Sequence, residues 1–309
     1  MAMTSSGENA PAPETARRKF FRAAGGLGAG IAAALAGLKA LGSRKAEAAP
    51  LPPVLAEANG NLIVRMQRDL EATLARGGTP SWLMVVDTRK CIGCDSCTVA
   101  CRAENPAGPA GSFRRVIQLR FTPGPRPVSI FKPSNCLQCD NPPCARAVPE
   151  GMIRKRPDGI VEFDYGRLRG PYARAAAAAC PFKAIHVDDG KTFTQTTPAP
   201  QAYEERTFVE NGAVYQRKPG ASALADTARK CTFCSHLLDV GVLPACVTTC
   251  IGGAMYFGDA NNPASLVNEI TQGRRRFRGH DALGVGPRVI YFEEPMPGAS
   301  SVECSVCHY

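Results

Sequence analysis

The chain lacks the local signatures of the common catalytic machineries. It has no G-x-S-x-G, no H-E-x-x-H, no P-loop and no dinucleotide fingerprint. Nucleophile-elbow hydrolysis, zincin peptidase chemistry, P-loop nucleotide hydrolysis and nicotinamide redox chemistry therefore find no foothold. Beyond residues 23–41 no apolar run approaches the ~20 residues of a membrane-spanning helix. Charge is moderate. The formal net charge is +10, and removing the seven basic and three acidic residues of the first 48 positions leaves +6. The densest basic patch, Arg274-Arg275-Arg276-Phe277-Arg278, reads first as a solvated helix end and second as a face for a partner or anionic lipid.

What is present at the N-terminus is a targeting pattern. Arg17-Arg18-Lys19-Phe20-Phe21-Arg22 is a twin-arginine signature, followed by a mild Ala/Gly-rich apolar stretch and by Ala46-Glu47-Ala48, a small-x-small cleavage pattern before Ala49. Its glycines and Lys39 make residues 23–41 a poor membrane span, so cleavage is favoured over an anchor. The expected location is the periplasm, reached by the twin-arginine route in the folded state. Nucleic acid is not an expected partner of such a chain.

Cysteine is abundant, with 14 residues. Cys91, Cys94, Cys97 and Cys101 are spaced C-x2-C-x2-C-x3-C. Cys136, Cys139 and Cys144 follow as C-x2-C-x4-C, Cys180 stands before Pro181, and Cys231, Cys234, Cys246 and Cys250 form C-x2-C-x11-C-x3-C. Disulfides do not explain repeated C-x2-C steps. Zinc prefers paired C-x2-C units, and the first run carries one ligand too many for one tetrahedron. Three local thiolates plus a distant fourth is the habit of [4Fe–4S] ligation. Iron–sulfur chemistry is therefore the leading reading of the array.

The pattern between the cysteines predicts an α+β chain. Leu62, Met66, Leu70 and Leu74 have helical spacing, ended by Gly77-Gly78. Residues 82–87, 116–121 and 288–293 read as strands, 156–161 as a hairpin with an Asp-Gly turn, and 266–277 as a surface helix. Residues 191–220, rich in Thr, Pro and Gln, read as a loop.

The cysteine runs, with Asp87-Thr88-Arg89-Lys90-Cys91-Ile92-Gly93-Cys94 and Leu243-Pro244-Ala245-Cys246-Val247-Thr248-Thr249-Cys250-Ile251-Gly252, closely resemble the four-cluster iron–sulfur subunits of respiratory molybdopterin and quinol oxidoreductases. Polysulfide, tetrathionate and dimethyl sulfoxide reductases have subunits of this type. The resemblance covers roughly residues 81–190 and 221–260. It implies tandem bacterial-ferredoxin-like dicluster domains with long loops, one inserted in the other. The outer domain would span 81–130 and 221–296, and the inserted one 131–190. A signal segment (1–48), an N-terminal extension (49–80), a connecting loop (191–220) and a tail (297–309) complete the division. By cross-ligation in that family, cluster A would take Cys91, Cys94, Cys97 and Cys250. Cluster B would take Cys231, Cys234, Cys246 and Cys101, and cluster C would take Cys136, Cys139, Cys144 and Cys180.

A fourth cluster would need the last ligand of the second motif and three from a third motif. The first of these positions is Val148. Counting back from Cys180, the others fall on Gly170, Ala173 and Ala176; counting forward from Asp164, they fall near Leu168, Pro171 and Arg174. Neither register contains cysteine. The losses fall on one cross-ligated site, so three clusters are expected, with the alanine-rich stretch filling the vacated volume by side-chain packing or an inserted turn. In the family this position is nearest the membrane partner, which puts the usual quinol entry route in doubt.

Cys304-Ser305-Val306-Cys307-His308 matches C-x-x-C-H, the c-type haem attachment sequence. One covalent haem, with His308 as proximal ligand, is the favoured reading; a tail disulfide, a zinc half-site and unused thiols compete. Met296 and His280 are candidates for the sixth ligand. The expected function is relay of electrons between an integral membrane quinone-interacting subunit and a periplasmic molybdopterin catalytic subunit or multihaem cytochrome. No catalytic residue is assigned. The alternatives are a haem-containing catalytic reductase and, further off, a zinc-structured interaction module.

Overall fold

The computed structural model describes residues 61–108, 111–121, 128–191, 206–216, 224–274, 276 and 283–292. The twin-arginine segment, Met296, His280 and the motif Cys304, Cys307, His308 lie outside the described residues. All described residues fall in one compact unit.

Helix α1, Leu62–Arg76, begins where the Asn61 side chain accepts from the Ile63 and Val64 amides and ends at Gly77, whose φ of 72° suits glycine. It buries Met66, Leu70 and Thr73. Leu62 and Leu74 stay exposed, so the buried stripe is narrower than the leucine spacing suggests. The stripe lies against β10 (Met255–Asp259), where Met66 Sδ accepts from the Phe257 amide at 3.1 Å.

Strand β1, Trp82–Asp87, is central because both of its edges are paired. It runs antiparallel to β10 and parallel to β11, Val289–Phe292. Met84, Val85 and Val86 are fully buried, as a central strand with both faces covered requires. The strand delivers the chain into the first cysteine loop. There the buried Asp87 carboxylate pairs with Arg89 at 2.6 Å, and that guanidinium holds it below its ordinary range.

After helix α2 (Ser96–Glu104) a hairpin of β2 (Arg114–Phe121) and β3 (Val128–Asn135) leads to the second cysteine run. Helix α3 (Pro143–Arg146), the hairpin β4 (Ile153–Lys155) with β5 (Val161–Phe163), helix α4 (Gly170–Ala178) and strand β6 (His186–Val187) follow. The segment expected to be a loop over 191–220 contains a third hairpin, β7 (Thr207–Glu210) with β8 (Ala213–Gln216). Strand β9 (Ala228–Arg229) pairs with β6. Helices α5 (Ser235–Leu238) and α6 (Ala245–Thr248) carry the last run. The final helix, α7, covers only Leu266–Thr271, shorter than the expected 266–277. The chain then turns at Gly273 (φ 69°), and Arg276 bridges to Phe292.

Two apolar cores result. One gathers side chains from α1, β1, β10 and β11 with the first and last cysteine runs. The other joins Cys144, Met152, Phe163, Leu168, Ala173, Ala176, Cys180, Phe208, Tyr215 and Ala228. Among the described residues, no helix is long and apolar enough to cross a membrane.

Candidate iron–sulfur centres

The first two cysteines of each of the three runs share one backbone device. The residue just before the second cysteine has positive φ in all three runs: Gly93 at 72°, Gln138 at 51° and Phe233 at 56°. This left-handed step curls the loop so that amides face inward. Cys231 Sγ accepts from the Phe233 amide at 3.4 Å, and the Gly93 amide bonds Cys91 in the same relation. Oriented N–H···S bonds of this kind stabilise metal-bound thiolate.

The runs converge across the sequence. Cys91, Cys94, Cys97 and Cys250 line one cavity of about 300 Å³, counted to its open mouth, with Ile92, Val116, Pro133 and Met255. Cys136, Cys139, Cys144 and Cys180 line another of about 330 Å³, walled by Pro142, Pro143, Pro181, Phe182 and Ile185. Cys101 faces Cys234, Cys231 and Cys246, and all four are buried at 5–7% exposure. Cys94 is the one exposed thiol among the described cysteines.

The donors around the sulfurs are varied. The Ala254 amide bonds Cys250 Sγ at 3.2 Å. Asn105 Nδ2 reaches Cys234 Sγ at 3.4 Å, and Asn135 Nδ2 reaches Cys231 Sγ at 3.6 Å. Amides of Ala184, Phe182 and Lys183 point at Cys180. These asparagine and main-chain donors carry no motif that sequence reading could find.

Burial, then the neighbouring thiolates, pushes Cys139 up to about 12; burial likewise pushes Cys144 to about 12, and Cys97 and Cys231 to about 11. Metal binding must therefore expel protons from these thiols. The donor chemistry suits a thiolate-bound iron–sulfur cube. Its net negative charge would answer the buried Arg114 guanidinium, whose Nη1 has no hydrogen-bond partner. A single zinc ion needs sulfurs ~2.3 Å from one point. Among the described residues no group of three or more His, Cys, Asp or Glu is placed to hold one metal ion; the thiols instead ring cavities.

The positions without cysteine are equally ordered. Gly170, Ala173, Ala176 and Cys180 are all buried, whereas Pro171, Tyr172 and Arg174 are exposed. The register counted back from Cys180 is thus the inward-facing one. The forward register puts Pro171 and Arg174 in solvent. Residues 170–178 form α4, and Val148 packs against the same core. A helix with small residues on its inner side, packed into one core with Phe208 and Tyr215 of the β7–β8 hairpin, occupies this region. Tyr172, at the place that is left-handed in the other runs, is helical.

Two histidines are accounted for locally. His236 Nε2 lies 2.8 Å from Glu104, and His186 sits on β6 with its ring against Phe113.

Residues 128–198 and 199–260 match the model of the 4Fe-4S dicluster domain family, the first match holding Cys136 to Cys180 and the second Cys231 to Cys250. The chain is 41% identical over 240 residues to the B subunit of selenate reductase from Mesobacillus selenatarsenatis, covering 77% of this chain and 81% of that protein. It is 32% identical over 220 residues to the B subunit of tetrathionate reductase from Salmonella typhimurium, covering 68% and 71%. It is 29% identical over 228 residues to the arsenate respiratory reductase iron–sulfur subunit of a Shewanella species, covering 67% and 94%. The paired thiol sets, the dicluster match and these relatives converge: the chain belongs to the family of iron–sulfur subunits of molybdopterin reductases.

Proposed function

We propose that this chain is the periplasmic electron-transfer subunit of a membrane-associated respiratory oxidoreductase, holding three [4Fe–4S] clusters and one c-type haem. Cys91, Cys94, Cys97 and Cys250 would hold cluster A. Cys231, Cys234, Cys246 and Cys101 would hold cluster B, and Cys136, Cys139, Cys144 and Cys180 cluster C. Bound clusters accept and release single electrons. The protein supplies thiolates, aimed amides and a wall that keeps water out.

The observation that carries this reading is the convergence of Cys250 with Cys91, Cys94 and Cys97 around one cavity. Two cores, one built mainly on the outer runs and one on the middle of the chain, support tandem ferredoxin-like halves with one inserted in the other. The inward Gly170, Ala173 and Ala176, with Val148, support the loss of a fourth cluster. Export and the haem at Cys304, Cys307 and His308 rest on sequence motifs.

The partners are an integral membrane quinone-interacting subunit and a periplasmic molybdopterin catalytic subunit or multihaem cytochrome. The relatives carry the names of selenate, tetrathionate and arsenate reductases, so the substrate belongs to the catalytic partner.

Anaerobic purification of the full chain, with metal analysis, optical spectra and redox-titrated EPR, tests the reading. About thirteen irons per chain and negligible zinc are expected, three cubes of four plus one haem. Four cubane signals or a zinc-filled protein would overturn the cluster assignment. Missing c-type haem bands would remove the haem alone.

A further inference from the structure

Three cations rank among the largest fully buried side chains: Arg114, Arg229 and Lys230, at 1%, 0% and 0% exposure. A buried charge is costly unless something of opposite sign answers it. Arg229 is answered conventionally. It meets Asp188 at 2.8 Å and the Glu210 carboxylate, with the Tyr215 hydroxyl at 2.6 Å and the Pro106 carbonyl at 2.9 Å.

Arg114 and Lys230 have no carboxylate partner among the described residues. Arg114 Nη2 donates to Met84 Sδ at 3.0 Å, and its Nη1 meets nothing. Lys230 Nζ donates to neutral oxygens only: Val161 O at 2.6 Å, Cys231 O at 3.0 Å and Gln138 Oε1 at 3.3 Å, with the Phe163 ring 5.0 Å away.

Both are placed at junctions between thiol sets. Arg114 opens β2 and is paired in register with Asn135, the donor to Cys231. Its charge acts on Cys97 of set A and on Cys101 and Cys231 of set B. Lys230 directly precedes Cys231 of set B. It bonds Gln138, which lies between Cys136 and Cys139 of set C, and its charge acts on Cys144.

We infer that Arg114 and Lys230 are the fixed countercharges of the relay, Arg114 shared by clusters A and B, Lys230 shared by clusters B and C. The inference rests on the assignment of these three thiol sets to [4Fe–4S] clusters. One-electron reduction adds one negative charge to a cluster, so a fixed cation beside it favours the reduced form and raises its potential. A cation shared by two centres attracts the added charge on each, and so offsets part of the repulsion between them when both are reduced. The two cations thus raise the potentials of all three centres, and cluster B, touched by both, gains most.

The sharing gives a test with a pattern. In the full chain carrying its clusters, potentials are measured by EPR-monitored redox titration for the native protein, Arg114→Met, Arg114→Lys and Lys230→Met. Arg114→Met should lower A and B by about tenfold or more in the one-electron equilibrium, about 59 mV per tenfold, and leave C in place. Lys230→Met should lower B and C and leave A. Arg114→Lys keeps the charge and should keep A and B close to native. Should Arg114→Met fail to assemble, Arg114→Gln, which retains a donor for Met84, is read in its place. Intact clusters with unmoved potentials would overturn the inference. So would an equal shift of all three centres, or an Arg114→Lys shift as large as that of Arg114→Met. Loss of the assignment itself is recognised separately, because iron analysis would then fail in the native protein.

Discussion

Gly252 lies so close to Lys90 that a Cβ on it would overlap the Lys90 carbonyl oxygen. This contact presses the segment just after Cys250 onto the residue just before Cys91, and so closes set A. Gly252→Ala should part the two segments and withdraw Cys250. Iron analysis and EPR should show loss of cluster A, about four irons, with cluster C retained. Cys250→Ser should give the same selective loss, and Cys180→Ser the converse one.

Gly93 combines a φ of 72° with a Phe131 ring carbon 2.6 Å from where its Cβ would stand. Gly93→Ala meets strain and overlap together, of order 1–3 kcal/mol. Reduced iron occupancy at set A, with the β2–β3 hairpin displaced, is the expected outcome by metal analysis and amide hydrogen exchange.

The inner side of α4 should refuse volume. Ala173 and Ala176 are fully buried, so Ala173→Leu should cost about 1–3 kcal/mol by overpacking. Arg174 on the outer side makes an exposed ion pair with Asp226, and Arg174→Ala should change stability by about 0.5 kcal/mol or less. Anaerobic denaturant titration of the two variants distinguishes them.

Glu210 holds together the hairpin β7–β8, Arg229, Tyr165 and Tyr215. Glu210→Ala leaves Arg229 with one carboxylate instead of two and should cost about 3–5 kcal/mol. Tyr165→Phe removes one donor to the same carboxylate and should cost about 1 kcal/mol. Both are read by denaturation midpoints, and hairpin release by proteolysis within residues 192–223.

Much of this site was legible because cysteine spacing is a strict constraint. The helix over 62–76 and the strand over 82–87 follow from local pattern, and the three-plus-one grouping from the family resemblance. The β7–β8 hairpin was hidden because Val209 and Val214 face solvent while Glu210 points inward, which reverses the usual alternation signal. The helical answer at residues 170–178 was open between packing and a turn; burial at every inward position requires the tertiary partner Phe208 or Tyr215, some 35–40 residues away. Arg114 was the least legible. Nothing in a sequence distinguishes an arginine aimed at thiols from one in water when the thiols arrive from residues 97 and 231.

The cross-pairing of thiols also dictates an order of birth. Set C closes over a separation of 44 residues, from Cys136 to Cys180, and its last thiol precedes Cys231, the first of the last run, by 51 residues. Set A spans Cys91 to Cys250, so its first three thiols wait through the synthesis of 153 further residues after Cys97. The wider loop carries the larger closure entropy. On the proposed ligand sets, assembly would run from the middle of the chain outward. In that order the thiols of the first run, with Cys94 exposed, would be the last to meet their distant fourth partner.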